Sequence, residues 1–191
     1  MSAPTYTNRH GDRYYLHACR TRTGKLRYFV AKTSGEGTHN VMPERYEFTE
    51  SINGVVSVRC IDRRGPQAPE QHVELVRAEM GHHSHLLYYR AESVRGEIVI
   101  FEPSSGLILD AERASLCGIG EIESALDLPA ARIRYAPVMK FAPCGAGCYS
   151  VHRMTYRGQG GWSWPLANGP LAKLAERFVE KIGTNAFFDL M

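Results

Sequence analysis

Two alternating runs, Arg13–Arg20 and Leu26–Lys32, flank the short basic turn Thr21-Arg22-Thr23-Gly24-Lys25, a spacing that fits an antiparallel hairpin. Tyr14, Leu16 and Ala18 fall on one side of the first run, and Tyr15, His17 and Cys19 on the other. In the second run Leu26, Tyr28 and Val30 alternate with Arg27, Phe29 and Ala31. One face can therefore be buried while the other presents Tyr15, His17, Arg27 and Phe29, and the pattern alone does not say which is which. Two further strands are expected at Tyr46–Thr49 and Val55–Arg59, because Asn53-Gly54 supplies the positive φ angles of a tight turn. Residues 11–60 thus read as a four-stranded antiparallel meander.

The stretch 62–69 holds two prolines and a glycine and reads as a linker between a basic β-meander module, residues 1–61, and an α+β module, residues 70–191. A helix is expected from Pro69, with Val73, Val76 and Met80 on one face and Gly81 at its end. Leu86–Ala91 and Glu97–Phe101 then read as a hairpin, and a short helix is expected over Ile119–Leu126. Strands are expected at Arg132–Phe141 and Tyr149–Tyr156. Leu171, Leu174, Phe178 and Ile182 recur at helical spacing before Gly183, which marks a final amphipathic helix. The fold class is therefore α+β: an N-terminal antiparallel β-meander followed by an antiparallel sheet with helices packed on one face.

Charge separates the two ends. Residues 1–35 carry seven Lys/Arg against Asp12 alone, a balance of +6 in a chain whose net charge is +3, so the remainder sums to −3. Such asymmetry draws a polyanion to one end of a molecule. Arg22, Lys25 and Arg27 are suited to phosphates, and Tyr15 and Phe29 to stacking on bases. Lys/Arg on a hairpin also serve as a solvated edge. Trp162 and Trp164, in the glycine-rich stretch from Gly158 to Pro165, either anchor that loop or add a recognition surface.

Motifs for catalysis are sparse. Cys144-x-x-x-Cys148-x-x-x-His152 offers thiolate and imidazole, preferred zinc ligands, without an evident fourth. It is read as a hairpin loop with incidental cysteines, as the His82, His83 and His85 run is read as solvated. Asp110 with Glu112, and Glu121 with Glu123, are carboxylate pairs by count only. Gly118-x-Gly120 and Gly158-x-Gly160-Gly161 lack the strand and helix context of a nucleotide fingerprint. No cofactor is expected. Five cysteines form an odd count without an export signal, and no apolar run approaches the roughly 20 residues of a membrane span, so the expected location is the cytoplasm.

The Arg13-Tyr14-Tyr15-Leu16 opening resembles a group of bacterial proteins without an assigned activity. So do Thr21-x-Thr23-Gly24-Lys25-x-Arg27-Tyr28, Pro43-Glu44-x-Tyr46-Glu47 and the closing Phe187-Phe188-Asp189-Leu190-Met191. The resemblance implies a bacterial cytoplasmic protein and supplies no catalytic residue. The sequence thus points to a binding or adaptor protein that meets nucleic acid or an acidic protein surface through its basic hairpin. The alternative is a small hydrolase or nuclease built on Cys144, Cys148 and His152, with or without a metal. Oligomeric state is not legible.

Overall fold

The computed structural model describes residues 3–63, 65–103, 133–145, 147–155 and 161–190, and it is α+β with antiparallel sheets. These residues fall into two compact units, one holding 3–63 with 133–134 and the other 65–103 with 135–145, 147–155 and 161–190. The helix expected over Ile119–Leu126, both carboxylate pairs, Cys117 and Gly118-x-Gly120 lie outside the described residues, as do Gly158 and Gly160.

In the first unit the opening hairpin forms as β2 (Arg13–Arg20) and β3 (Leu26–Ala31), with Cys19 opposite Arg27 and His17 opposite Phe29. The expected four-stranded meander does not form. A short strand, β1 (Thr5–Thr7), pairs with the first half of β2, and the hairpin of β4 (Tyr46–Glu50) and β5 (Val56–Cys60) makes a sheet of its own. The physical reason lies in the loop after β3. It crosses to the other edge of β2, where the Ala18 amide donates to the Gly37 carbonyl at 2.9 Å and the His39 amide to the Leu16 carbonyl at 2.8 Å. That path satisfies the second half of β2, which β1 leaves uncovered, and takes the chain away from the free edge of β3.

Aromatic contacts join the two sheets of this unit: Tyr28 meets Tyr46 at 4.8 Å between ring centroids, and Tyr6 meets Phe48 at 5.6 Å. A carboxylate completes the joint. Glu50 of β4 accepts from the Arg9 amide at 3.0 Å, from Arg9 Nε at 2.9 Å and from the Tyr6 hydroxyl at 2.9 Å. Asn8 adds a bond from Nδ2 to the Gly54 carbonyl at 2.8 Å, which latches the turn before β2 onto the Asn53-Gly54 turn.

The second unit is a five-stranded antiparallel sheet in the order β10-β9-β8-β7-β6: β6 (Arg90–Val94), β7 (Glu97–Pro103), β8 (Tyr135–Gly145), β9 (Cys148–Arg153) and β10 (Ala167–Pro170). Register aligns Ile98, Phe141, Val151 and Ala167 in one row across four strands. That row lies in a core shared with α1 (Glu70–Gly81), which contributes Val73, Val76 and Met80, and α2 (Leu171–Val179), which contributes Leu171, Leu174 and Phe178. Ile182 lies past the helical hydrogen bonds yet is fully buried, and α3 (Asn185–Phe188) follows Gly183.

Two strand expectations shift. Leu86 belongs to a 3-10 turn, Ser84–Leu86, and β6 starts only at Arg90, because Leu86 is needed in the core under the end of α1 while Leu87 points to solvent. β10 was not expected, since Ala-Asn-Gly-Pro has the composition of a turn. It forms as an edge strand whose final residue, Pro170, needs no amide for the ladder and leads directly into α2.

Candidate functional site

The tip of the β2–β3 hairpin is ordered by threonine. The Gly24 amide bonds the Thr21 carbonyl at 2.8 Å, the Thr21 amide bonds the Lys25 carbonyl at 2.8 Å, and the Thr21 hydroxyl accepts from the Lys25 amide at 3.1 Å. Gly24 sits at φ +78°, the left-handed position that closes a three-residue hairpin loop, so Arg22 and Thr23 stand at the outermost point. Arg20, Arg22, Lys25 and Arg27 are all exposed there.

The tip concentrates cations without counter-charge. Four other cations of the unit are neutralised, Lys32 by Asp12 at 2.8 Å, Arg9 by Glu50, Arg59 by Glu47 at 2.8 Å and Arg45 by Asp62, whereas Arg13 and Arg20 of β2 make no ion pair with a described residue. The Lys32 pair holds the Asp12 carboxyl below its ordinary range. Arg22, Lys25 and Arg27 make no ion pair with any described residue. Arg22 and Lys25 on the ordered turn, with Arg20 and Arg27 on the adjoining strand ends, create a local positive potential.

The aromatic residues of this face play two parts. Phe29 is 38% exposed and continues the face that carries Arg27. His17 is buried; its Nε2–H donates to the Thr33 carbonyl at 2.9 Å, and its ring lies 5.3 Å from that of Phe29. It braces Phe29 and the crossing loop from within. Tyr15, opposite Ala31, is half-buried.

Trp162 and Trp164 belong to the second unit. Lys140 Nζ, which pairs with Glu97 at 2.8 Å, lies 5.0 Å from the centre of the Trp162 ring, and Trp162 is half-buried. Trp164 is 90% exposed. The structure does not bring Cys144, Cys148 and His152 together. Cys148 and His152 stand four residues apart on an extended strand, about 13 Å by strand geometry. Both ring nitrogens of His152 are engaged: Nδ1–H donates to the Ser163 carbonyl at 3.0 Å and Nε2 lies 3.0 Å from the Ser150 hydroxyl oxygen, which is also 3.2 Å from the Ala142 carbonyl. This relay, which the sequence does not signal, fastens the 161–164 segment to β9; Ser150 itself is buried. No group of three or more metal-capable side chains converges among the described residues.

Of the histidine run, His82 and His83 approach the two oxygens of Glu79 at 3.6 and 3.2 Å, while His85 donates to the Ile182 carbonyl at 3.0 Å. Beside them a cleft of about 370 Å³ is lined by residues that include Arg77, Met80, Leu87 and Arg90. Those cations are committed, Arg77 to Glu70 and Glu74 and Arg90 to the Tyr135 hydroxyl at 2.8 Å.

Comparison with protein-family models, curated proteins and solved structures finds no match to this chain. No helix among the described residues is long and apolar enough to cross a membrane.

Proposed function

We propose that this chain is a binding protein whose β2–β3 hairpin tip engages the phosphate backbone of a nucleic acid. The observation that carries the reading is that Arg22, Lys25 and Arg27 stand exposed on an ordered turn without a carboxylate partner among the described residues. Crowding these uncompensated cations, with Arg20 beside them, onto one hairpin end costs stability through self-repulsion, and a polyanionic ligand removes that cost. Phe29, on the face of Arg27, supplies a surface for base stacking.

The test is fluorescence anisotropy with labelled single-stranded and duplex oligonucleotides across a salt series. Three phosphate contacts give a slope of about −2.7 in log affinity against log salt for duplex. In the Arg22→Ala/Lys25→Ala/Arg27→Ala variant that dependence should disappear and low-salt affinity should fall by at least about tenfold. Absence of binding at low salt, or an unchanged slope in the triple variant, refutes the proposal. Salt-sensitive capture of an acidic polypeptide without oligonucleotide binding assigns the tip to a protein partner instead.

A further inference from the structure

The β8–β9 hairpin ends in two cysteines that neither the core nor the basic tip uses. Register pairs Ala142 with Ser150 and Pro143 with Tyr149, and then shifts so that Gly145 faces Cys148. Cys144 is thus the extra residue of a β-bulge, and it shares with Gly145 the position opposite Cys148. Both thiols consequently emerge on one face of the hairpin. Directly opposed residues have Cβ atoms about 4.5–5.5 Å apart, and a disulfide needs about 3.5–4.5 Å. The turn can supply that small approach, because Gly145 and Gly147 adopt φ values of +107° and +74° and carry no side chain to resist it. Both cysteines are free; Cys144 is exposed and Cys148 half-buried.

We propose that Cys144 and Cys148 form a dithiol site that reacts with small-molecule disulfides and closes to an intrachain disulfide. The Cys144 thiol loses its proton to solvent, and the thiolate attacks one sulfur of the small disulfide. The small S–S bond breaks, the first small thiolate leaves, and a mixed disulfide remains on Cys144. The Cys148 thiolate, its own proton also lost to solvent, then attacks the Cys144 sulfur and expels the second small thiolate. Two protein thiols are oxidised, and the small disulfide is reduced to two thiols. Closeness of Cys148 makes the second step intramolecular, with an effective thiol concentration on the order of millimolar or above. Desolvation first, and then the neighbouring Cys148, hold the Cys144 thiol above its ordinary pKa, which slows the first attack at neutral pH and speeds it as pH rises.

The folded 191-residue chain supplies its own control, since Cys19 is exposed on β2 with no cysteine opposite it. The experiment incubates reduced protein with oxidised glutathione, quenches with acid and maps the peptides by mass spectrometry without reduction. Cys144 and Cys148 should appear joined, with loss of two hydrogens and no retained glutathione, while Cys19 stops at the mixed disulfide. In Cys148→Ser the adduct should persist on Cys144. The proposal is overturned if wild-type protein stops at a mixed disulfide on Cys144, links instead to a second chain, or leaves the pair reduced while Cys19 is modified.

Discussion

Replacing Glu50 with glutamine tests the joint of the first unit. Its side chain is 11% exposed, and it receives two bonds from Arg9 and one from Tyr6, which tie β1 and the turn after it to β4. Burial alone raises the carboxyl pKa, but the Arg9 amide, the Tyr6 hydroxyl and the Arg9 guanidinium outweigh it, and the group titrates below its ordinary value. A hydrogen bond to a charged group contributes about 1.5–3 kcal/mol net, and bonds that share one acceptor group do not add. Glutamine keeps the shape and one carbonyl acceptor, yet it loses the charge and turns an amide group toward one of the three donors. The expected loss is about 2 kcal/mol at pH 7.

The pH dependence has a definite sign. With a folded pKa below the unfolded value of about 4.3, the contribution of Glu50 is complete above that value and is lost as pH falls through the folded pKa. Urea unfolding of both proteins, followed by far-UV circular dichroism from pH 7 to pH 3, should show a gap that narrows at acid pH. A gap below about 0.5 kcal/mol at pH 7, or one that persists undiminished at pH 3, refutes the reasoning.

Gly54→Ala places a methyl group onto the His10 ring at a residue with φ +72°, and should cost about 1–2 kcal/mol by urea titration; His10→Ala in the same chain should restore only the steric part, leaving the backbone strain. Arg95 adopts φ +53° beside Gly96 at +86° in the two-residue turn joining β6 to β7, a position that favours asparagine, so Arg95→Asn should raise the denaturation midpoint by the equivalent of about 0.5 kcal/mol.

Periodicity made the strongest elements legible. The alternation about Thr21–Lys25 and the Asn53-Gly54 turn both mark hairpins that form, and the three- and four-residue spacing from Leu171 marks α2. The missed elements have no periodic signature. Thr5–Thr7 is too short to show alternation, and Ala167–Pro170 is a strand because β9 offers an edge. The rerouting of the loop after β3 depends on unsatisfied groups of β2, a demand that arises only once β1 has paired. Likewise, Arg22, Lys25 and Arg27 could be named from composition, but their want of carboxylate partners is a property of the folded surface. Cys144 and Cys148 could be seen as a pair, whereas the bulge that sets them face to face is a matter of register.

The placement of the tryptophans governs how the protein reports on itself optically. The chain has two, Trp162 and Trp164, both in the second unit, one half-buried beside Lys140 and the other almost wholly in solvent. Indole emission therefore follows the environment of a single short segment next to β9. The described residues of the first unit carry tyrosine and phenylalanine but no indole of their own. Ligand capture at the hairpin tip and loosening around Glu50 call for circular dichroism, or for a tryptophan introduced at Phe29, where the register already provides an exposed aromatic position.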